Sequence, residues 1–370
     1  MAEQPLKEIR IEGFTSIRSA TVRLGRLNVL VGANGAGKSN FVQALGLLGR
    51  IVADQLTLFT NLQGGASALL NTSGGEREIR LRLNADPDVY EAVLVSAAND
   101  ELIFKQEIVD SLASDSHPTI RQGQRETGLH EEAERNPDGV AAFVVGLLNG
   151  CRVYHFHDTT LDAPVKQFVP TADNLTLRND AGNLAAVLLG LKNSDKAVNG
   201  AAYRRIVSAI QQVAPFFRDF VLAPENNDRI RLRWSQKDTD AVFSANQMSD
   251  GTLRFVCLAT MLLQPELPSL VVLDEPELGL HPFAIVQLAG LLRQASTRSQ
   301  VLIATQSVTL MNQFEIGDLI VVERRNGASV FSRPDPKRLE AWLDEYSLGE
   351  LWEKNLIGGR PSREEPAPHD

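Results

Sequence analysis

Only two cysteines, Cys151 and Cys257, occur in the 370 residues. They lie far apart and outside any close-spaced Cys/His pattern, so neither a disulfide framework nor a zinc cage has support, and two buried free thiols are expected. Long apolar runs are missing as well. The longest, Val140 to Leu148, is too short to span a bilayer, and Met1 to Arg10 has no apolar signal core. A cytoplasmic chain without membrane contact is expected. Lysine and arginine are outnumbered 37 to 46 by aspartate and glutamate, for a formal net charge of −9. That balance argues against a generally basic, sequence-blind nucleic-acid binder and confines any DNA contact to a local patch. No internal repeat and no heptad run of coiled-coil length is found.

What is present is a globular composition, 43% hydrophobic and 22% charged, on a chain long enough for about two domains. Alternation at Ile9 and Ile11, then Thr21 to Leu24, then the apolar run Leu27 to Val31 predict three short strands, the third entering a glycine-rich loop. Helical spacing follows at Phe41, Leu45, Leu48 and Ile51. Glu78 to Leu83, Tyr90 to Ser96 and Glu101 to Ile108 predict an antiparallel meander. The polar stretch Ser111 to Gly139 reads as an exposed loop or helical excursion. A strand is expected at Cys151 to Phe156, and helices at Asn183 to Leu191 and Ala201 to Val213. After Met248 the texture is α/β: a helix from Gly251, a strand Leu270 to Leu273, a helix after Pro282 and a strand Val301 to Ala304. Trp342, Leu351 and Trp352 are at near-helical spacing and read as a packing element or docking site, and Arg360 to Asp370 as a disordered tail.

Gly32-Ala33-Asn34-Gly35-Ala36-Gly37-Lys38-Ser39, followed by Asn40, fits G-x-x-x-x-G-K-[ST] between a predicted strand and a predicted helix. Glycines let the backbone turn its N–H groups on a phosphate, and the helix N-terminus adds partial positive charge. Lys38 would neutralise β/γ oxygens and Ser39 would hold Mg²⁺. A bound ATP with Mg²⁺ is the expected ligand. The second half is Leu270 to Leu273 ending in Asp274 and Glu275: Asp274 suits the magnesium shell, and Glu275 is placed to polarise an attacking water. These acids could instead merely cap the turn at Pro276. Ser249-Asp250-Gly251 opens an apolar helix and so offers an anion-binding end; ordinary N-capping by Ser249 or Asp250 explains the same residues equally well.

Together these residues resemble the ABC-type ATPases of the SMC and RecF group, in particular short RecF-like ATPases related to the ATPase half of OLD-family proteins. The carriers are Ile11-Glu12-Gly13-Phe14 to Ile17, the phosphate loop, Ser249-Asp250-Gly251, and Asp274-Glu275-Pro276-Glu277 running into Leu278-Gly279-Leu280-His281-Pro282. The resemblance implies an α/β fold of the ABC-head type of P-loop NTPase, a mixed sheet with an inserted antiparallel-strand and helical lobe. Residues 1–335 would form one composite ATPase domain (core 1–60 plus 245–335, lobe 61–244), with 336–370 a C-terminal extension. It further implies an ATP-dependent head-to-tail homodimer in which Ser249 and Gly251 touch the partner's ATP and Gly279 to His281 cross the seam. A separately encoded, nuclease-like effector, DNA as a ligand, and a role in repair or anti-phage defence are implied in the same way. Gln306, after the strand Val301 to Ala304, stands where the family places a histidine beside the γ-phosphate, so slow hydrolysis is expected. Thr15 stands where a basic residue is common, and Asp250 where a second glycine is. No clear Gln-loop is visible; Val153 to Phe156 with His157-Asp158-Thr159 occupies about its place. His155, His157 and Asp158 could alternatively form a metal cluster.

The alternative function class is the motor of an ABC transporter, against which stand the antiparallel insert and the lack of a membrane segment. A structural SMC-type clamp lacks its coiled-coil arms. About sixty residues follow Ser307, too few for an added nuclease domain of ordinary size.

Overall fold

The computed structural model describes residues 5–71, 77–111, 119–225 and 228–359; the expected disordered tail lies outside them. The chain divides into two compact units, Met1–Arg152 with Pro268–Val272 and Leu302–Asp370, and Val153–Leu267 with Leu273–Val301.

The first unit opens with β1 (Glu8–Phe14), β2 (Ile17–Arg23), β3 (Leu27–Val31) and α1 (Lys38–Val52). All five β3 residues are buried, the signature of a strand covered on both faces. In α1 the 3.6-residue periodicity buries Phe41, Leu45, Leu48 and Ile51. Phe41 meets Phe331 at 5.1 Å between ring centroids. Short helices α2 (Leu56–Leu62) and α3 (Ala66–Leu69) lead to the meander β4 (Glu78–Asn84), β5 (Asp88–Ser96) and β6 (Leu102–Ser111). The antiparallel pairings expected there are present in full. Within the polar stretch lie β7 (Thr119–Arg121) and α4 (Leu129–Arg135); residues 112–118 fall outside the description. The apolar run becomes α5 (Val140–Asn149), followed by β8 (Cys151–Tyr154).

The second unit holds β9 (Val169–Pro170), α6 (Leu184–Asn193), α7 (Ala197–Val213), β10 (Phe217–Phe220), β11 (Arg229–Ile230), β12 (Arg233–Gln236) and β13 (Val242–Ser244). It also holds α8 (Asp250–Leu263) and α9 (Pro282–Ser296), while β14 (Leu270–Asp274) and β15 (Gln300–Thr305) lie mostly in the first unit, to which Pro268–Val272 and Leu302–Asp370 belong. The strands β9 to β13 escape a periodicity reading because none exceeds four residues. They are held by pairing and by an aromatic stack in which Trp234 lies 4.9 Å from Phe243 and 6.0 Å from Phe217.

Back in the first unit, α10 (Val308–Met311), the hairpin β16 (Leu319–Arg325) and β17 (Ala328–Ser332), α11 (Pro336–Leu343) and α12 (Leu348–Glu353) complete the chain. One six-stranded sheet runs β2-β1-β4-β5-β6-β7 and another β17-β16-β3-β15-β14-β8. The second is mixed, since β16 pairs parallel with β3 and antiparallel with β17. The near-helical spacing of Trp342 and Trp352 does not make one helix: Ser347 starts α12 afresh with a capping box to Glu350. Leu351 packs inward, whereas Trp342 is 42% exposed. The longest described helix, α7, has 17 residues, so no coiled-coil arm occurs among the described residues. Among those residues, too, no helix is long and apolar enough to cross a membrane. Both cysteines are free and buried, as expected.

Candidate functional site

In the first unit β3 delivers the chain into the glycine-rich loop. Gly35 and Gly37 take left-handed φ of 75° and 113°, where a side chain is strained. Gly37 has a second reason to be glycine, since a Cβ there would sit 2.0 Å from Ser329 Oγ. It is also the N-cap of α1 and offers no capping side chain, which leaves first-turn N–H groups for an anion. Asn34, Gly35 and Ser39 are exposed, whereas Ala36, Gly37 and Lys38 are buried. Lys38 Nζ donates to Gly32 O at 2.8 Å and Ala33 O at 3.2 Å. The cation therefore lies folded on the loop's own carbonyls. Asn40 Nδ2 donates to Ser16 Oγ at 2.6 Å, and Ser16 Oγ lies 2.6 Å from Ser329 Oγ. Gln306 follows β15, the strand adjacent to β3 in the sheet order. Thr15 has φ 47° and a buried hydroxyl without a hydrogen-bond partner among the described residues.

β14 buries Leu270 to Leu273 and ends at the half-buried Asp274, Leu273 and Asp274 being the two of its residues that belong to the second unit. Asp274 Oδ1 is buried with no hydrogen-bond partner among the described residues. An orphaned carboxylate oxygen is costly to bury, and a cation would relieve it. Glu275 adopts φ 44°, a left-handed conformation that L-residues avoid. It opens a tight turn in which Leu278 N donates to Glu275 O at 3.1 Å and Leu280 N to Glu277 O at 3.0 Å.

Ser249 is the N-cap of α8: its Oγ accepts from Thr252 N at 3.3 Å and lies 2.8 Å from Thr252 Oγ1. Ser249 and Asp250 are exposed. Gly251 packs backbone to backbone on the turn after β14, since a Cβ there would lie 2.5 Å from Gly279 O. Arg254, one turn further along α8, donates from Nη1 to Leu278 O at 3.0 Å and from Nη2 to His157 O at 2.9 Å. The start of α8, the turn 275–280 and the segment after β8 are therefore tied together around one small pocket bordered by His157, Arg254, Asp274 and Glu275. Burial, assisted by His157 and opposed by the Asp274 carboxylate, lowers the His155 imidazole below its ordinary value. No group of three or more His, Cys, Asp or Glu residues able to hold a metal occurs among the described residues. His155, His157 and Asp158 are accordingly not a metal cluster.

Sequence reasoning missed Arg254 and the residues that brace the phosphate loop. Arg254 gave no signal, being one arginine on an amphipathic helix. The hairpin carrying Ser329 did: Asn326-Gly327 between the runs 319–325 and 328–332 is a two-residue turn pattern.

No curated protein is matched by sequence. Among solved structures, the chain is similar to an SMC head bound to the C-winged helix domain of ScpA, with 15% identity, a TM-score of 0.59, and coverage of 91% of this chain and 99% of that one. It is also similar to the Smc head domain with an extended coiled coil bound to the C-terminal domain of ScpA from Pyrococcus furiosus, at 14% identity and a TM-score of 0.55, covering 92% of this chain and 99% of that one. The fold is that of an ABC-type P-loop head. A family profile described as "AAA domain, putative AbiEii toxin, Type IV TA system" matches residues 27–136 and 151–312. With most of its length so matched, the chain belongs to that AAA-domain family.

Proposed function

We propose that the chain binds and hydrolyses ATP as a switch, residues 1–335 acting as one composite ATPase domain and two copies meeting head to tail. The observation that carries this is the phosphate loop: left-handed glycines, an uncapped helix start and a buried lysine in one turn of chain. The residues fit Mg²⁺-ATP, which would supply the reacting γ-phosphate and a divalent charge on its oxygens. N–H groups of Asn34 to Ser39 bind the phosphates, and Lys38 exchanges loop carbonyls for β/γ oxygens. Ser39 and Asp274 are the residues that would hold the metal. Glu275 orients water and accepts its proton, and Gln306 donates to the γ-phosphate without carrying a proton, which keeps basal turnover slow. Ser249 and Gly251 address the partner copy's nucleotide. ScpA domains bound to SMC heads of this fold support a separate protein partner here. That partner is a nuclease-like effector, and the setting is DNA repair or anti-phage defence, with DNA as the signal.

The test mixes Ser249→Arg chains with Lys38→Ala chains. Each alone is expected to be inactive, Ser249→Arg still binding ATP. In the mixture one composite site carries both lesions and the other neither, so ATPase activity returns, with a dimeric mass in ATP. A Ser249→Arg chain that hydrolyses ATP normally as a monomer refutes the head-to-tail site.

A further inference from the structure

The first turn of the phosphate loop is held from outside by the end of the described chain. Gly359 O accepts the Ala33 N–H at 2.9 Å, and Gly359 N donates to Glu323 Oε1 at 2.8 Å. Gly358 and Gly359 both have left-handed φ, 83° and 84°. Neither tolerates a Cβ easily: at Gly358 it would lie 2.6 Å from Glu323 Oε1, and at Gly359 3.0 Å from Trp352 Nε1 and 3.1 Å from Val321 Cγ1. The loop's own Gly32 is pressed on the same strand, with a Cβ position 2.3 Å from Val322 O. Val321 to Glu323 of β16 therefore serve as a floor on which both the phosphate loop and the glycine pair rest.

Building on the nucleotide site proposed above, we infer that the Gly358–Gly359 turn, pinned by Glu323, is a positioning strap for the phosphate loop. Ala33 is the junction. Its carbonyl accepts from Lys38 Nζ, and its N–H is held by the strap. When Lys38 turns to a phosphate, Ala33 loses that hold on its carbonyl side, and the strap keeps the turn in its binding shape. Gly358, Gly359 and Glu323 touch no nucleotide; they set the shape of what does. Their effect belongs in ATP affinity rather than in the chemical step.

Three full-length variants, Gly359→Ala, Glu323→Ala and Glu323→Gln, and a chain ending at Ile357 separate this from general stability. Glu323→Gln keeps an acceptor oxygen for Gly359 N. Labelled-ATP binding, turnover at saturating ATP and thermal unfolding without nucleotide are measured for each. Loss of one net hydrogen bond corresponds to about three- to tenfold weaker binding. That loss is expected for Gly359→Ala, Glu323→Ala and the shortened chain, with saturated turnover unchanged and Glu323→Gln close to wild type. Wild-type affinity in Gly359→Ala and the shortened chain overturns the strap. So do an equal loss in both Glu323 variants and a loss confined to turnover. A wild-type protein that binds no ATP instead brings down the nucleotide site on which the strap rests.

Discussion

Glu275 combines a proposed catalytic role with a backbone cost, and the two can be separated. Its φ of 44° places Cβ against the following carbonyl at a cost of about 1–2 kcal/mol for an L-residue. Pro276 adds a second constraint, since the residue before a proline is steered towards extended conformations. Asparagine tolerates the left-handed region much better than glutamate. Glu275→Asn is therefore expected to stabilise the nucleotide-free protein by about 0.5–1 kcal/mol, whereas a typical substitution destabilises by about 1 kcal/mol. Glu275→Gln keeps both length and strain and should move stability by less than about 0.5 kcal/mol. Both variants remove the proton acceptor, so phosphate release should fall about 10²–10⁴-fold in each while labelled ATP is retained and the dimer accumulates. Urea unfolding, ATP binding and phosphate release on the two proteins give the comparison. A Glu275→Asn protein less stable than wild type refutes the strain reasoning. A Glu275→Gln protein with wild-type turnover refutes the role and shifts attention to Glu277.

Lys38→Ala removes the cation proposed to leave Gly32 O and Ala33 O for the phosphate oxygens; a hydrogen bond to a charged group contributes about 1.5–3 kcal/mol, so ATP affinity should drop about 10- to 100-fold, as equilibrium binding would report. Gly251→Ala forces a methyl to within 2.5 Å of Gly279 O, and the resulting backbone shift should destabilise by about 1–3 kcal/mol in denaturant titration. Burial pushes both Cys151 and Cys257 thiols up to about 12 from 9.0, so neither should react with dithionitrobenzoate at pH 8 until the chain unfolds. Because the folded values are raised, the unfolded chain alone loses these protons above pH 9, and stability should fall as pH rises from there towards 12; replacing both thiols by serine should make that slope shallower, the rest coming from Tyr90 and Tyr203, whose hydroxyls burial also pushes up.

The sequence alone determined the parts whose physics is local. A phosphate loop needs particular residues within one turn of chain, so Gly32 to Ser39 are legible without knowing what surrounds them. A covered strand is a run of apolar residues, so β3, β14 and β15 were readable, and the carboxylates of Asp274, at the end of β14, and Glu275, just after it, were conspicuous because acids rarely follow such a run. The meander was legible by its alternation. Tertiary structure decided what depends on partners far away in the chain. Ser16 and Ser329, 313 positions apart, meet behind Gly37 and explain why that residue must lack a side chain. Gly251 is glycine because Gly279 O lies against it, and Arg254 matters because Leu278 O and His157 O fall within its reach. The short strands β9 to β13 form because packing and pairing overrule a pattern too brief to register. The spacing of Trp342, Leu351 and Trp352 suggested one element where two helices form, and only packing decided that Leu351 is inside and Trp342 outside. Hydrogen bonds and close approaches across hundreds of residues are set by the path of the whole backbone, which no local window contains.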